Sequence, residues 1–356
     1  MPNDLIFQSL PPAFICLRFS QSTNRSQRCM NFIFGPVNSR RLGRSLGIDL
    51  FSSKVCNLNC IYCEVGRTLS PVSRRGAYSS TQAILEEIDE LCADPKRLGA
   101  VDVLTVTAKG EPTLHSGLGQ IVRHLKEKAK KPVAVLTNGT TLMDEDVRQA
   151  LMAADIVVPS LDAARLESFC KVDRPVEGMD LEAVISGLTF FSHAYTGKIW
   201  LEILLVQEMN DAPEDIEALI AVLRRMRLDR IQLNTVVRPP AEEYARSLSH
   251  GRLAAIAALL HKELALPVDL PFVAADETVA GQSSNAQPVP DSAAVAALMD
   301  EIKQMVQRRP CTAIDIDRTF HLGGPEKVEQ LLEPLVRSGI LQQQEHGGRR
   351  YYQLAS

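Results

Sequence analysis

Residues 54–66 read KVCNLNCIYCEVG and place Cys56, Cys60 and Cys63 in one short run, spaced C-x3-C-x2-C. That spacing lets a single loop set three thiolates around one iron–sulfur cube, whose four irons are ordinarily filled by four cysteines. Three ligands leave one iron without a protein thiolate, and an open position on a metal is where a substrate-like molecule binds. Two blander readings stand beside this one: a structural zinc knot, or three unrelated thiols. Zinc wants a fourth ligand at a similar spacing. No second cysteine pair follows, and the next histidine downstream is His115. The pattern is more specific than a lone CxxC.

Outward from this run, short apolar stretches alternate with helix-periodic ones. Strands are expected at residues 46–51, 101–106, 133–136, 156–159, 199–206 and 230–237. Helices are expected at 81–92, 118–130, 143–153, 181–192, 213–225 and within 253–263. In the first of these, Ile84, Leu85, Ile88 and Leu91 share one helical face, and Ser80 or Thr81 is a suitable N-cap. Six β–α units in succession imply a parallel sheet covered by helices. Strands that are apolar throughout agree with burial on both faces. Two α/β architectures fit, a doubly wound open sheet and a partial (β/α)6 barrel of the TIM type, and periodicity does not separate them.

A chain of 356 residues suits a barrel with a small appendage. Its net charge of −4 gives no global bias toward nucleic acid or membrane. No apolar run approaches the length of a membrane span. Eight cysteines in a chain this long, three of them clustered, suggest a reduced, cytoplasmic metalloprotein. Residues 1–29 show no sustained period and read as a disordered or mis-started leader, with Met30 as the start. The barrel is then expected over residues 30–275. Residues 276–292, DETVAGQSSNAQPVPDS, read as a linker. Residues 293–356 hold two helical segments and two strands joined at Gly347-Gly348, which suggests a small winged-helix-like domain. Acidic and basic residues balance there, and its second helix carries Glu326, Glu329 and Glu333. Phosphate binding needs a positive face, so the composition argues against DNA and for a docking or lid role.

In barrels and open α/β sheets, ligands sit at the C-terminal ends of the strands. Several polar residues fall there. Gly110 and Glu111 lie in KGEPTL, residues 109–114, where a turn is the plain alternative. Asn138 follows the third expected strand, Ser160 and Asp162 the fourth, and Glu202 interrupts the apolar fifth. Asn210 and Asn234 are weaker candidates. Arg174, and the run of Arg40, Arg41 and Arg44, are candidates for gripping a carboxylate or phosphate.

The cysteine run with Tyr62 before its third cysteine, the KGEPTL run, and GPVNSRRLGRSLG at residues 35–47 resemble the radical S-adenosylmethionine (SAM) superfamily. Within it they are similar to a subgroup related to the tRNA wyosine-synthesis enzymes, over about residues 32–240. The resemblance implies a partial barrel, a [4Fe–4S] cluster on Cys56, Cys60 and Cys63, and SAM on the fourth iron. It also implies SAM contacts from Tyr62, Gly110, Glu111, Asn138, Ser160 and Glu202, with Lys109 standing where the family's first glycine often lies. The reaction it implies is reductive cleavage of SAM to methionine and a 5′-deoxyadenosyl radical that takes hydrogen from a substrate. A reductant protein such as flavodoxin or ferredoxin would supply the electron. Three roles follow: modification of a nucleoside in tRNA, action on a small metabolite or peptide, or a redox regulator read out by the winged helix. The wyosine enzymes carry a second cluster on extra upstream cysteines, whereas only Cys16 and Cys29 lie upstream here.

Overall fold

Eight strands line up in one sheet in their sequence order. They are β1 (Ile33–Ser39), β2 (Gly43–Asp49), β3 (Val103–Thr107), β4 (Val133–Thr137), β5 (Ile156–Pro159), β6 (Lys198–Leu205), β7 (Arg230–Thr235) and β8 (Val268–Asp269). The pair β1–β2 is antiparallel, and every later pair is parallel. This is a computed structural model in which residues 31–39, 42–271 and 292–355 are described. The leader at 1–29 and all of the expected linker except Ser292 lie outside the described residues.

Strands β3 to β5 are buried at nearly every successive position, whereas β6 is buried at alternate ones. Leu46, Ile48, Leu104, Val106, Val133, Val135, Val157, Ile199, Leu201 and Ile231 are all fully buried. Helices return the chain between them: α1 (Thr81–Cys92), α2 (Pro95–Gly99), α3 (Leu118–Ala129), α4 (Glu145–Leu151), α5 (Leu166–Val172), α6 (Leu181–Ala194), α7 (Pro213–Leu223) and α8 (His250–Leu264). In α1 the Ser80 hydroxyl accepts from the Ala83 amide, and Ile84, Leu85, Ile88 and Leu91 are the buried face. Parallel strands joined by helices send all their C-terminal ends to one side. The loops that follow β2 to β7 therefore gather at a single mouth.

The strand β1 was not expected, because IFGPVNS contains the residues that normally mark turns. An edge strand tolerates proline, since one side of its ladder needs no donor. Its pairing also locates Arg44 of the arginine run. Ser39 pairs with Gly43, and Arg40 and Arg41 are outside the described residues. Arg44 opens β2 at the end opposite the mouth, and its guanidinium lies 3.4 Å from Asp102. It stands roughly 16 Å of strand from Asp49.

The C-terminal residues form a smaller module of α9 (Ser292–Arg308), β9 (Cys311–Thr312), α10 (Ala313–Phe320), α11 (Pro325–Arg337), β10 (Leu341–His346) and β11 (Arg349–Leu354). Its strands pair in the order β10-β11-β9, all antiparallel. Ile302, Val306, Ile316, Val328, Leu332 and Tyr352 are its core. Thr312 and Asp315 cap α10 reciprocally. Among the described residues no helix is long and apolar enough to cross a membrane.

Candidate functional site

The cysteine loop leaves β2 and is held down from three sides. The Val55 amide donates to the Lys109 carbonyl at 2.8 Å, and the Glu111 amide donates to the Val55 carbonyl at 2.9 Å. Gly110 sits between them at φ +131°, where a Cβ would stand 1.8 Å from the Val55 oxygen. Only glycine lets the two backbones come this close. On the second side, the Asn59 and Ile61 amides donate to the carbonyls of Asp173 and Val172 at 3.0 and 2.9 Å. On the third, the Ile61 side chain is buried among Val172, Val206, Val236 and Ala245.

This clamp fixes the three thiols. Cys56 is buried, and the Leu58 amide points at its sulfur from 3.5 Å. The Cys63 sulfur accepts from Lys54 Nζ at 3.1 Å, and the Cys60 thiol faces Asp173 Oδ1 at 3.5 Å. Burial pushes the Cys56 thiol up to about 12. Burial, reinforced by the Asp173 carboxylate, pushes Cys60 well above its ordinary value. A cationic metal reverses that preference and deprotonates a coordinating thiol outright. Soft thiols on one loop, with N–H donors aimed at two of the sulfurs, are the donor set that suits an iron–sulfur cluster. Among the described residues no three His, Cys, Asp or Glu side chains converge as ligands of a single ion. The ligands of a cube each bind a different iron and need not converge.

Beside the loop is a cavity whose lining includes Leu58, Tyr62, Asn138, Ser160, Asp162 and Asp173. Three of the expected SAM contacts, Tyr62, Asn138 and Ser160, thus meet in one place. The Tyr62 hydroxyl donates to Asp162 Oδ2, and the Leu204 amide donates to Asp162 Oδ1 at 2.8 Å. Burial pushes Asp162 up to about 6, and pushes Asp173 well above its ordinary value with help from the Asp162 charge. The Asn138 amide is already engaged, donating to Asn57 Oδ1 at 2.8 Å and accepting from Thr140 Oγ1 at 2.7 Å.

Gly110, Glu111 and Glu202 stand outside the lining of that cavity. Glu111 is fully buried, and its carboxylate accepts from the Thr113 amide, Thr113 Oγ1, Thr137 Oγ1 and the Asn138 amide at 2.9, 2.6, 2.7 and 2.5 Å. A carboxylate offers about four acceptor sites. Glu111 therefore ties the end of β3 to the end of β4. Glu202 is half-buried rather than buried, and its backbone carbonyl accepts from the Leu161 amide at 3.0 Å. Its charge contributes to raising Asp162.

Sequence reasoning passed over Lys54, Asn57, Thr140 and Asp173. Asp173 had a signal: it precedes Arg174, a non-glycine at φ +46°, and Pro175, and this bend pairs with Leu58 of the cysteine loop. Arg174 itself donates to Glu242 at 2.6 Å and to the Tyr244 hydroxyl. Asn210 is fully buried and brackets the Asp162 and Leu204 carbonyls at 2.8 and 2.9 Å.

The sequence profile described as the radical SAM superfamily matches residues 50–249, from the residue after β2 to the N-cap of α8. The chain belongs to the radical SAM superfamily. Members of this superfamily bind SAM and a [4Fe–4S] cluster. A UPF0026 protein of Helicobacter pylori strain J99 is 34% identical over 283 residues, covering 79% of this chain and 85% of that one. A protein of Brachyspira hyodysenteriae named GTPase Obg is 30% identical over 328 residues, covering 92% of this chain. The chain spans only 46% of that relative's length. Among solved structures, a radical SAM methyltransferase from Sphaerobacter thermophilus superposes with a TM-score of 0.50 at 15% identity, covering 66% of this chain and 68% of that one. That likeness is one of fold.

Proposed function

We propose that this protein is a radical SAM enzyme whose cluster is held by Cys56, Cys60 and Cys63. The observation that carries the reading is the adjacency of the clamped three-cysteine loop and the cavity lined by Tyr62, Asn138 and Ser160. When bound, the cluster would supply one electron to SAM, whose C–S bond would break to give methionine and a 5′-deoxyadenosyl radical able to take hydrogen from a substrate. The protein's own part is to bind, orient and exclude water. Leu58, Phe169 and Val184 make the apolar side of the cavity. Ser160 offers a polar contact to SAM, Asn138 borders the cavity while holding Asn57 and Thr140 in place, Glu202 lies one strand over, and the backbone around Gly110 and Glu111 faces the loop. The side chain of Glu111 acts as a positioning group, because its oxygens are taken up by protein donors. A reductant such as flavodoxin or ferredoxin delivers the electron in a cytoplasmic setting.

The substrate reading divides between a tRNA nucleoside and a small metabolite or peptide. The position of Arg44, near the start of β2 and beside Asp102, favours the second, because this arginine is remote from the mouth. The order helix, strand, helix, helix, strand, strand in the C-terminal module supports the winged-helix reading of residues 293–356. Arg350 on its hairpin lies 3.9 Å from Glu329 of α11, which supports docking over DNA binding. In the anaerobically reconstituted protein, 5′-deoxyadenosine release on addition of SAM and reductant is expected in wild type and lost in Cys60→Ala. Release by Cys60→Ala at the wild-type rate overturns the assignment. Stimulation by cell extract that disappears after RNase treatment would shift the substrate reading to RNA.

A further inference from the structure

Among the described residues the sheet is open: β1 and β8 are its edges, and they do not pair with each other. One short stretch of the C-terminal module touches both sides of the opening. At its start, Arg308 lies 3.3 Å from Asp49 at the end of β2 and 4.3 Å over the Phe34 ring of β1, and donates to the Asn31 carbonyl at 3.2 Å. At its end, Pro310 and Asp315 receive Arg238, just beyond β7, at 2.6 and 3.1 Å. Tyr351 adds a hydrogen bond to the Val237 carbonyl at 2.7 Å.

Arg238 has a third partner. Its Nε lies 3.5 Å from Glu64, the residue next to Cys63. The side chain is only 11% exposed, so its charge needs the carboxylates on both sides. The guanidinium meets this with its flat fork: one edge faces Asp315 and the other faces Glu64. Glu64 cannot shift alone. The Cys63 amide donates to the Cys60 carbonyl at 3.2 Å and the Gly66 amide to the Cys63 carbonyl at 3.1 Å, so Glu64 and Cys63 belong to one turn.

We propose that residues 308–315 form the missing wall of the partial barrel, and that Arg238 is a positioning residue that couples the seat of this wall to the cysteine turn through Glu64. The proposal rests on the reading of that turn as the cluster site. It makes the C-terminal module part of the cluster's scaffold rather than an appendage beside it.

Hydrogen exchange on the full-length, metal-free chain tests the coupling without relying on the cluster. Arg238→Lys keeps the charge and loses the fork. Asp315→Asn neutralises the far partner while keeping an acceptor for the α10 cap. Asp300→Asn, on an exposed pair of the same module, is the control. Exchange in peptides covering residues 54–66 is expected to rise about tenfold in the first two variants and to stay at the wild-type rate in the third, a tenfold change being a loss of 1.4 kcal/mol. The proposal is overturned if Asp315→Asn speeds exchange only within the C-terminal module. A second readout is the midpoint potential of the reconstituted cluster, expected to move in Asp315→Asn, although Asp315 does not touch the loop. If wild-type protein takes up no cluster, the site reading falls, and the exchange data still decide the coupling.

Discussion

Replacing Gly110 by alanine isolates the contact that seats the cysteine loop. The new Cβ would stand 1.8 Å from the Val55 oxygen and 2.4 Å from its carbonyl carbon, with ordinary contact beginning at 3.4 Å. The obstacle is backbone, so no rotamer change relieves it, and the two segments must part by up to about 1.6 Å. Parting them breaks the Val55–Lys109 and Glu111–Val55 hydrogen bonds. Gly66, in the same loop, is the matched control, with φ +90° and nothing within 4 Å of an added Cβ. Both alanines carry about 1–3 kcal/mol of positive-φ strain. Only Gly110→Ala adds the loss of two hydrogen bonds at about 1 kcal/mol each. The expected totals are about 4 kcal/mol for Gly110→Ala and about 2 kcal/mol for Gly66→Ala, read as melting-point losses at roughly 2 °C per kcal/mol. Because Val55 precedes Cys56, Gly110→Ala should also lose most of its iron after reconstitution, while Gly66→Ala keeps it. Equal melting points and equal iron in the two variants refute the reasoning.

Glu111→Gln puts an amide among four donors, leaving at least one unsatisfied at about 1–3 kcal/mol; chemical denaturation should show this loss, and a midpoint equal to wild type contradicts it. Lys54→Met removes the cation 3.1 Å from the Cys63 sulfur. The reduction potential of the cluster should fall by about 60 mV, the one-electron equivalent of 1.4 kcal/mol, and spectroelectrochemical titration reads it directly. The folded-state pKa of Asp162 is raised from 3.8 to about 6, so the unfolded chain gives up its proton first as pH rises. Asp173 is raised too, so stability of the metal-free protein should fall as pH rises from about 4, with Asp162 contributing up to about 3 kcal/mol of the loss by about pH 6. Asp162→Asn should flatten that slope in urea midpoints taken across the range; a slope as steep as wild type assigns it elsewhere.

The six central parallel strands were legible because each carries a short set of apolar residues that must be buried, on both faces in β3 to β5 and on alternate positions in β6. The strand β1 was hidden by Gly35, Pro36 and Asn38, which signal turns in isolation and are tolerated only because β1 is an edge. The two-residue strand β8 and the eight-residue helix α10 are too short to show a period. At the site, the cysteines announced themselves by spacing, since one loop carries them all. Asp173 reaches Cys60 across 113 residues and Asn138 reaches Asn57 across 81, and no local pattern records such pairings. The fourfold engagement of Glu111 was equally hidden, because a GEP turn looks the same whether its carboxylate faces a ligand or its own fold.

The most direct test is low-temperature electron paramagnetic resonance of the anaerobically reconstituted, reduced protein, recorded with and without SAM and paired with iron and sulfide analysis. The account predicts about four irons and four sulfides per chain, with a reduced-cluster signal that changes shape when SAM is added. A protein that retains zinc or a single iron, or a cluster signal indifferent to SAM, contradicts the claim that three cysteines hold a cube with one iron open.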